Sequence, residues 1–175
     1  GNRTRAGEGR RNRPSMKTLR TIVAIAAFVV LFDQWSKHWA VGSLSDGHTV
    51  HVISTLRFNL SFNSGMAFSK GTNAGPVIGV LSILVTAALI IWQVRIARES
   101  TTHRVLVVAA GLIVGGAWGN IVDRLFRGEG GLHGRVVDFI DLQWWPVFNV
   151  ADAAVTVGVI LMALSMMREP GKRNV

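Results

Sequence analysis

The chain contains no cysteine. That removes disulfides, zinc–thiolate centres and a cysteine nucleophile, and it leaves the redox compartment open. No serine sits in a G-x-S-x-G elbow, and none of His38, His48, His51, His103 and His133 belongs to an H-E-x-x-H metal motif. His48 and His51 are three apart in an expected strand, which points them to opposite faces. P-loop and Rossmann glycine spacings are also missing, so the sequence offers no metal site and no cofactor. Acidic residues are scarce: 10 Asp and Glu stand against 19 Lys and Arg, for a net charge of +9. The basic excess gathers in the tails and is not spread along a helix with interleaved aromatics, so it does not mark a nucleic-acid reader.

What the chain does have is apolar residues in long runs, with 49% hydrophobic residues and a positive mean hydropathy. Spanning about 30 Å of hydrocarbon takes roughly 20 residues. Four segments meet that length: Leu19–Val41, Ala74–Val94, Val105–Phe126 and Val147–Met167. The first resembles a cleavable signal peptide up to Phe32, but it continues as "DQWSKHWAV", with Asp33 and Lys37 an opposite-charge pair at i,i+4. The expected fold is an all-α polytopic membrane protein with four transmembrane helices. A single membrane domain is expected over residues 18–170, between a basic, disordered tail over 1–17 and a short tail over 171–175.

Lys and Arg near the span ends fall in the N-terminal tail, in the link carrying Arg95, Arg98 and Arg104, and in the C-terminal tail with Arg168, Lys172 and Arg173. The positive-inside rule puts all three in the cytoplasm, both termini included. The links Gly42–Asn73 and Arg127–Pro146 then lie outside. Alternating runs such as "HTVHVIST" and "LRFNLSFN" predict a small extracytoplasmic β-sheet cradle over about 43–70. The second link, 127–146, is expected as a loop or short helix whose "GRVVDFIDLQWW" begins like a strand. Trp35, Trp39, Trp144 and Trp145 suit an aromatic belt at the outer interface, and Trp92 suits the inner one.

Gly111, Gly115 and Gly119 recur every four residues on the third span. Such a stripe permits close helix packing, and Ala154 with Gly158 offers a matching pair on the fourth span. That contact would bring Asn120 and Asp123 to the start of the fourth span, where Asn149 and Asp152 share a face. Asp152 would then lie about 7 Å inside the span. Every aspartate (33, 46, 123, 138, 141 and 152) falls in the outer links or outer span ends. Asp33 pairs on paper with Lys37, and Asp123 with Arg124. The outer cations left over, Arg57, Lys70, Arg127 and Arg135, are all in loops, so Asp138 and Asp152 are harder to neutralise. Two carboxylates brought close share one proton and form an acid–base pair able to activate water. A transporter would instead place its acids near the midplane, with broken helices and a repeat, and a scaffold would leave both aspartates idle.

The stretches "DQWSK" (33–37), "NSGMAF" (63–68), "GGAWGNIVDR" (115–124), "VVDF" (136–139) and "PVFNVAD" (146–152) resemble, in order, those of the bacterial lipoprotein signal peptidases, signal peptidase II. Met66 and Trp118 depart from the family's usual residues. The resemblance implies an aspartic peptidase of the cytoplasmic membrane with an extracytoplasmic active site. Its substrates would be diacylglyceryl prolipoproteins, cut before the modified cysteine, and its inhibitor globomycin. It implies Asp138 and Asp152 as the catalytic pair, with Asp123 the rival for the first role. Asp33, Lys37, Asn63, Gly65, Asn120, Asp123, Arg124 and Asn149 match positions expected to bind substrate or brace the pair.

Overall fold

Helix α1 runs Met16–Leu44, overshooting the expected span by three residues at each end. It buries Val29, Asp33, Ser36, Lys37, Ala40 and Leu44, which recur at three- and four-residue intervals along one face. Phe28, Phe32 and Trp35 stack along the opposite, exposed face. The Gly47 N–H reaches back to the Leu44 carbonyl, 3.1 Å, with Gly47 at φ +85° as a helix C-terminus often requires. These elements belong to a computed structural model that describes residues 16–63, 104–128 and 134–167. The expected second span, Gly65, Trp92, residues 1–15 of the expected N-terminal tail and the C-terminal tail lie outside the described residues, while Met16 and Lys17, expected in the disordered tail, are the first residues of α1.

Two antiparallel strands follow α1: β1, Val50–Ile53, and β2, Leu56–Asn63. Helix α2 spans Arg104–Phe126, within one residue of expectation, and it is the one described helix long and apolar enough to cross a membrane. Strand β3, Val136–Asp141, comes from the second outer link and pairs antiparallel with β2, giving a sheet ordered β1-β2-β3. The cradle is therefore built from both links. Among the described residues no helix lies between Phe126 and Val150. All but one residue of β3 is buried, since Val137 and Phe139 pack with Ala40 and Leu44 of α1 and seat the sheet on that helix end.

Helix α3, Val150–Met167, starts three residues later than expected. Phe148 is held extended by exchanging backbone hydrogen bonds with Ile140, 2.8 and 3.0 Å, so it cannot join the helix. Asp152 is thus the third helical residue, about 3 Å from the start, shallower than the sequence suggests.

The glycine stripe also needs correction. Cβ atoms added at Gly111 and Gly115 would strike Ile25, Ala26 and Val29, so the stripe admits α1. The close α2–α3 contact uses Gly116, whose added Cβ would lie 2.4 Å from the Ala151 carbonyl, and Gly158, which abuts Ile113 and Ala109. Small residues do draw α2 and α3 together, but from a different face. Gly119 sits where the three helices meet, against Asp33 and Ala151.

Candidate active site

The three helices and β3 converge on a buried polar cluster. At its centre is Lys37, fully buried, with its ammonium 2.9 Å from Asp33 Oδ2, 2.9 Å from Asp123 Oδ2 and 2.9 Å from Asn120 Oδ1. An ammonium has three donors, and all three are used. The expected Asp33–Lys37 pair is present, with Asp123 as its unforeseen third member.

Asp33 does more than neutralise Lys37. Its Oδ1 accepts the Ala151 backbone N–H at 2.9 Å, satisfying one of the free amides at the start of α3. Asn149 precedes the helix and caps it. Its Oδ1 accepts the Asp152 N–H at 2.9 Å while Asp152 Oδ2 accepts the Asn149 N–H at 3.2 Å. This reciprocal arrangement is a capping box with aspartate at its third position. The carboxylate also faces the positive end of the helix dipole.

The two asparagine amides are oriented by groups that can only donate. Lys37 fixes the Asn120 oxygen toward itself, so Asn120 Nδ2 donates to Asp152 Oδ1 at 2.8 Å. The Asp152 N–H fixes the Asn149 oxygen, so Asn149 Nδ2 donates to Asp138 Oδ1 at 2.7 Å and to Asn120 Oδ1 at 3.1 Å. Asn149 therefore bonds both Asp138 and Asp152. Asn63, on β2, also hydrogen-bonds Asp138. Burial is the largest influence on the Asp138 carboxyl and pushes it up to about 6, with the nearby Asp152 charge adding to the rise.

Asp123 has a different environment. Its Oδ2 accepts from Lys37 and from the Val137 N–H at 3.1 Å, and its Oδ1 accepts from Gln34 Nε2 at 3.1 Å and Arg127 Nε at 2.6 Å. Four donors saturate the carboxylate and tie α2 to α1 and β3. The ion pairs of Asp123 are with Lys37 and Arg127, correcting the expected pairing with Arg124. Asp123 also turns toward β3 and away from the start of α3, where Asn120 alone of the two reaches. Arg124 interacts electrostatically with Asp138, Asp123 and Asp152, and its Nε is buried with no hydrogen-bond partner among the described residues.

Nine of the ten expected site residues thus meet in one place: Asp33, Lys37, Asn63, Asn120, Asp123, Arg124, Asp138, Asn149 and Asp152. Gly65 lies outside the described residues. Sequence reasoning missed Gln34, whose amide links Asp33, the Gly119 carbonyl and Asp123, although it stands inside "DQWSK". It also left Arg127 as a loop cation, although the four-residue step from Asp123 was visible. Gly134 carried no sequence signal. Its N–H closes the end of α2 on the Arg124 carbonyl at 3.1 Å. Among the described residues no group of three His, Cys, Asp or Glu side chains is arranged to hold a metal ion.

A family model described as signal peptidase (SPase) II matches residues 25–168. The lipoprotein signal peptidase of Mycobacterium leprae (strain Br4923) is 41% identical over 151 residues, covering 85% of this chain and 72% of that protein. The one from Mycobacterium tuberculosis (strain ATCC 25618 / H37Rv) is 40% identical over 160 residues, covering 90% of this chain and 77% of that protein. A solved bacterial membrane enzyme superposes with a TM-score of 0.68 at 29% identity, over 87% of this chain and 96% of that one. With the family model matched from α1 to the end of α3, the chain belongs to the signal peptidase II family, membrane proteases that process lipoproteins.

Proposed function

We propose that the protein is a four-span aspartic endopeptidase of the bacterial cytoplasmic membrane. It has both termini inside and its active site on the extracytoplasmic side. It removes the signal peptide from diacylglyceryl-modified prolipoproteins, cutting just before the lipid-modified cysteine, with Asp138 and Asp152 as the catalytic pair. The observation that carries this reading is Asn149, which hydrogen-bonds both carboxylates and brings β3 and the start of α3 to one point. The saturation of Asp123 by four donors supports Asp138 over its rival.

Around the pair, Lys37, Arg124 and Arg127 face Asp33, Asp123, Asp138 and Asp152. Three cations against four carboxylates leave one negative charge in excess, and one shared proton balances it in a site poor in water. Asp138, with its carboxyl pushed up, is the member that holds this proton. The ionised carboxylate takes a proton from water as the water oxygen bonds the scissile carbonyl carbon, and the protonated one gives its proton to the carbonyl oxygen. The tetrahedral diol then collapses, the C–N bond breaks, and the amine of the modified cysteine leaves with a proton. Substrate backbone carbonyls need donors in such a site, and the Arg124 Nε is a buried donor available for one of them.

The protein acts as a monomer, its substrate's acyl chains lie in surrounding lipid, and globomycin blocks it. Purified protein incubated with a diacylglyceryl preprotein tests the reading. The expected product is the shortened lipoprotein, lost with globomycin and lost in Asp138→Asn and Asp152→Asn. Uncut substrate with a folded wild-type protein would refute it, and cleavage by either variant would refute the pair.

A further inference from the structure

Two non-glycine residues among those described have positive φ: Ser54 at 49° and Gln143 at 69°. Such conformations carry strain and persist where the surroundings hold them. Here they are held together. Gln143 Nε2 donates to the Thr55 carbonyl at 2.9 Å, joining the β1–β2 turn to the end of β3. Asp141 accepts the Gln143 N–H at 2.7 Å and pairs with Arg57 across the strands at 2.7 Å. The Arg57 hydrogen bond keeps the Asp141 carboxyl below its ordinary range, so this brace stays charged. The braced turns present an uncharged tip: Ile53 is 72% exposed, Trp144 70% and Trp145 58%. The indoles pack edge to face, centroids 6.2 Å apart, and leave their outer surfaces open.

The site residues lie at the other end of the sheet, Asp138 opposite Ser61 and Asn63 opposite Val136, so the tip has no part in them. Trp145 stands five residues before Val150, the first residue of α3. Even fully extended, that chain reaches only about 17 Å from the helix start. A rigid, uncharged, tryptophan-rich surface tethered that close to a helix end matches the chemistry of the bilayer interface, where indoles settle at headgroup depth. We propose that Ile53, Trp144 and Trp145 form a preformed anchor seated in the headgroup layer of the outer leaflet, a lipid contact separate from the helices. It fixes the height of β3, and with it Asp138, above the hydrocarbon.

This proposal rests on the multi-pass arrangement above, and the test separates the two. Because the chain has no cysteine, Ile53→Cys and Val159→Cys each give one thiol for an environment-sensitive fluorophore, read in phosphatidylcholine/phosphatidylglycerol nanodiscs. Val159, exposed on α3, reports the span. The expected result is quenching of the residue 53 label by lipid carrying a nitroxide near the headgroup and not by aqueous iodide, with quenching of the residue 159 label by a deep acyl-chain nitroxide. Adding Trp144→Ser and Trp145→Ser should turn the residue 53 label toward iodide several-fold without altering the residue 159 label. Iodide quenching of the residue 53 label in the parent protein overturns the anchor and leaves the span standing. Shielding from both quenchers overturns it in favour of a protein contact, and an unchanged response in the double serine variant overturns the role of the indoles. Failure of both labels to meet lipid overturns the anchor together with the multi-pass reading.

Discussion

Lys37 Nζ and Asp123 Oδ2 lie 2.9 Å apart, and both side chains are completely buried. The pair joins α1 to α2, and through the Val137 N–H that Asp123 also accepts it holds β3. Replacing Lys37 by Met would leave Asp33 and Asp123 buried without their shared cation. Breaking a buried pair in this way costs about 3–5 kcal/mol. Thermal unfolding of Lys37→Met in detergent should show a large drop in midpoint, partly restored when Asp33→Asn and Asp123→Asn are added. An unchanged midpoint in the single variant would mean the cluster does not bind the helices together.

Asp123→Asn and Asp138→Asn should fail in different ways. The first removes the acceptor on which Lys37, Arg127, Gln34 and Val137 converge, so it should lower stability and loosen β3. The second should leave the fold intact and abolish turnover. Unfolding midpoints and cleavage measured on the same preparations distinguish them. A stable, inactive Asp123→Asn beside an active Asp138→Asn would reverse the assignment of the pair.

The pH dependence of Asp138 has a definite sign. Its carboxyl sits at about 6 in the folded protein against an ordinary 3.8, so the fold favours the protonated form. The associated stability is complete below about pH 4 and is lost as pH rises through about 6. At about 1.36 kcal/mol per pH unit the gap corresponds to roughly 3 kcal/mol. Asp138→Asn should therefore be more stable than the parent at pH 8 by up to that amount and equal to it near pH 4, as urea titrations at the two pH values would reveal. If Asp138 is the acid of the pair, kcat/KM should also decline as pH rises through the same region.

Gly134 tolerates no side chain. A Cβ there would lie 2.3 Å from the carbonyl oxygens of both Asp123 and Arg127. Those are backbone atoms at the end of α2, so neither can swing aside. Gly134→Ala should lower the unfolding midpoint and displace β3, with loss of cleavage, whereas Gly42→Ala, which meets nothing within 4 Å, should behave as the parent does. Equal midpoints for the two variants would contradict the close approach.

The bounds of α2 are legible in the sequence to within one residue because the helix follows a long apolar run, whereas α1, whose apolar run gives way to polar residues after Phe32, extends three residues past its expected bounds at each end. The start of α3 is not legible, because it depends on Phe148 pairing with Ile140, and a contact between remote backbones leaves no periodic trace. The glycine stripe announced close packing without naming its partner, and only the fold shows that Gly111 and Gly115 receive α1. Adjacency pairs Asp123 with Arg124 on paper, yet neighbours on a helix diverge by about 100°, while Arg127 one turn on lies on the same side and makes the ion pair. The polar residues themselves were recognisable as a set, because charges in apolar runs are costly enough to stand out. What needed the structure was which donor serves which acceptor.

The i,i+4 spacing of Asp33 and Lys37 also bears on assembly. Asn120 follows Lys37 in the chain by 83 residues and Asp123 lies beyond it, so Lys37 must wait for two of its three partners. It never waits alone, since Asp33 emerges four residues before it and lies on the same face. On the proposed four-span arrangement, the first helix enters the membrane as a self-neutralised element and later adds Asp123 and Asn120 to that pairing. The helix that carries Asp152 arrives last of the described elements, and the polar cluster is complete only then.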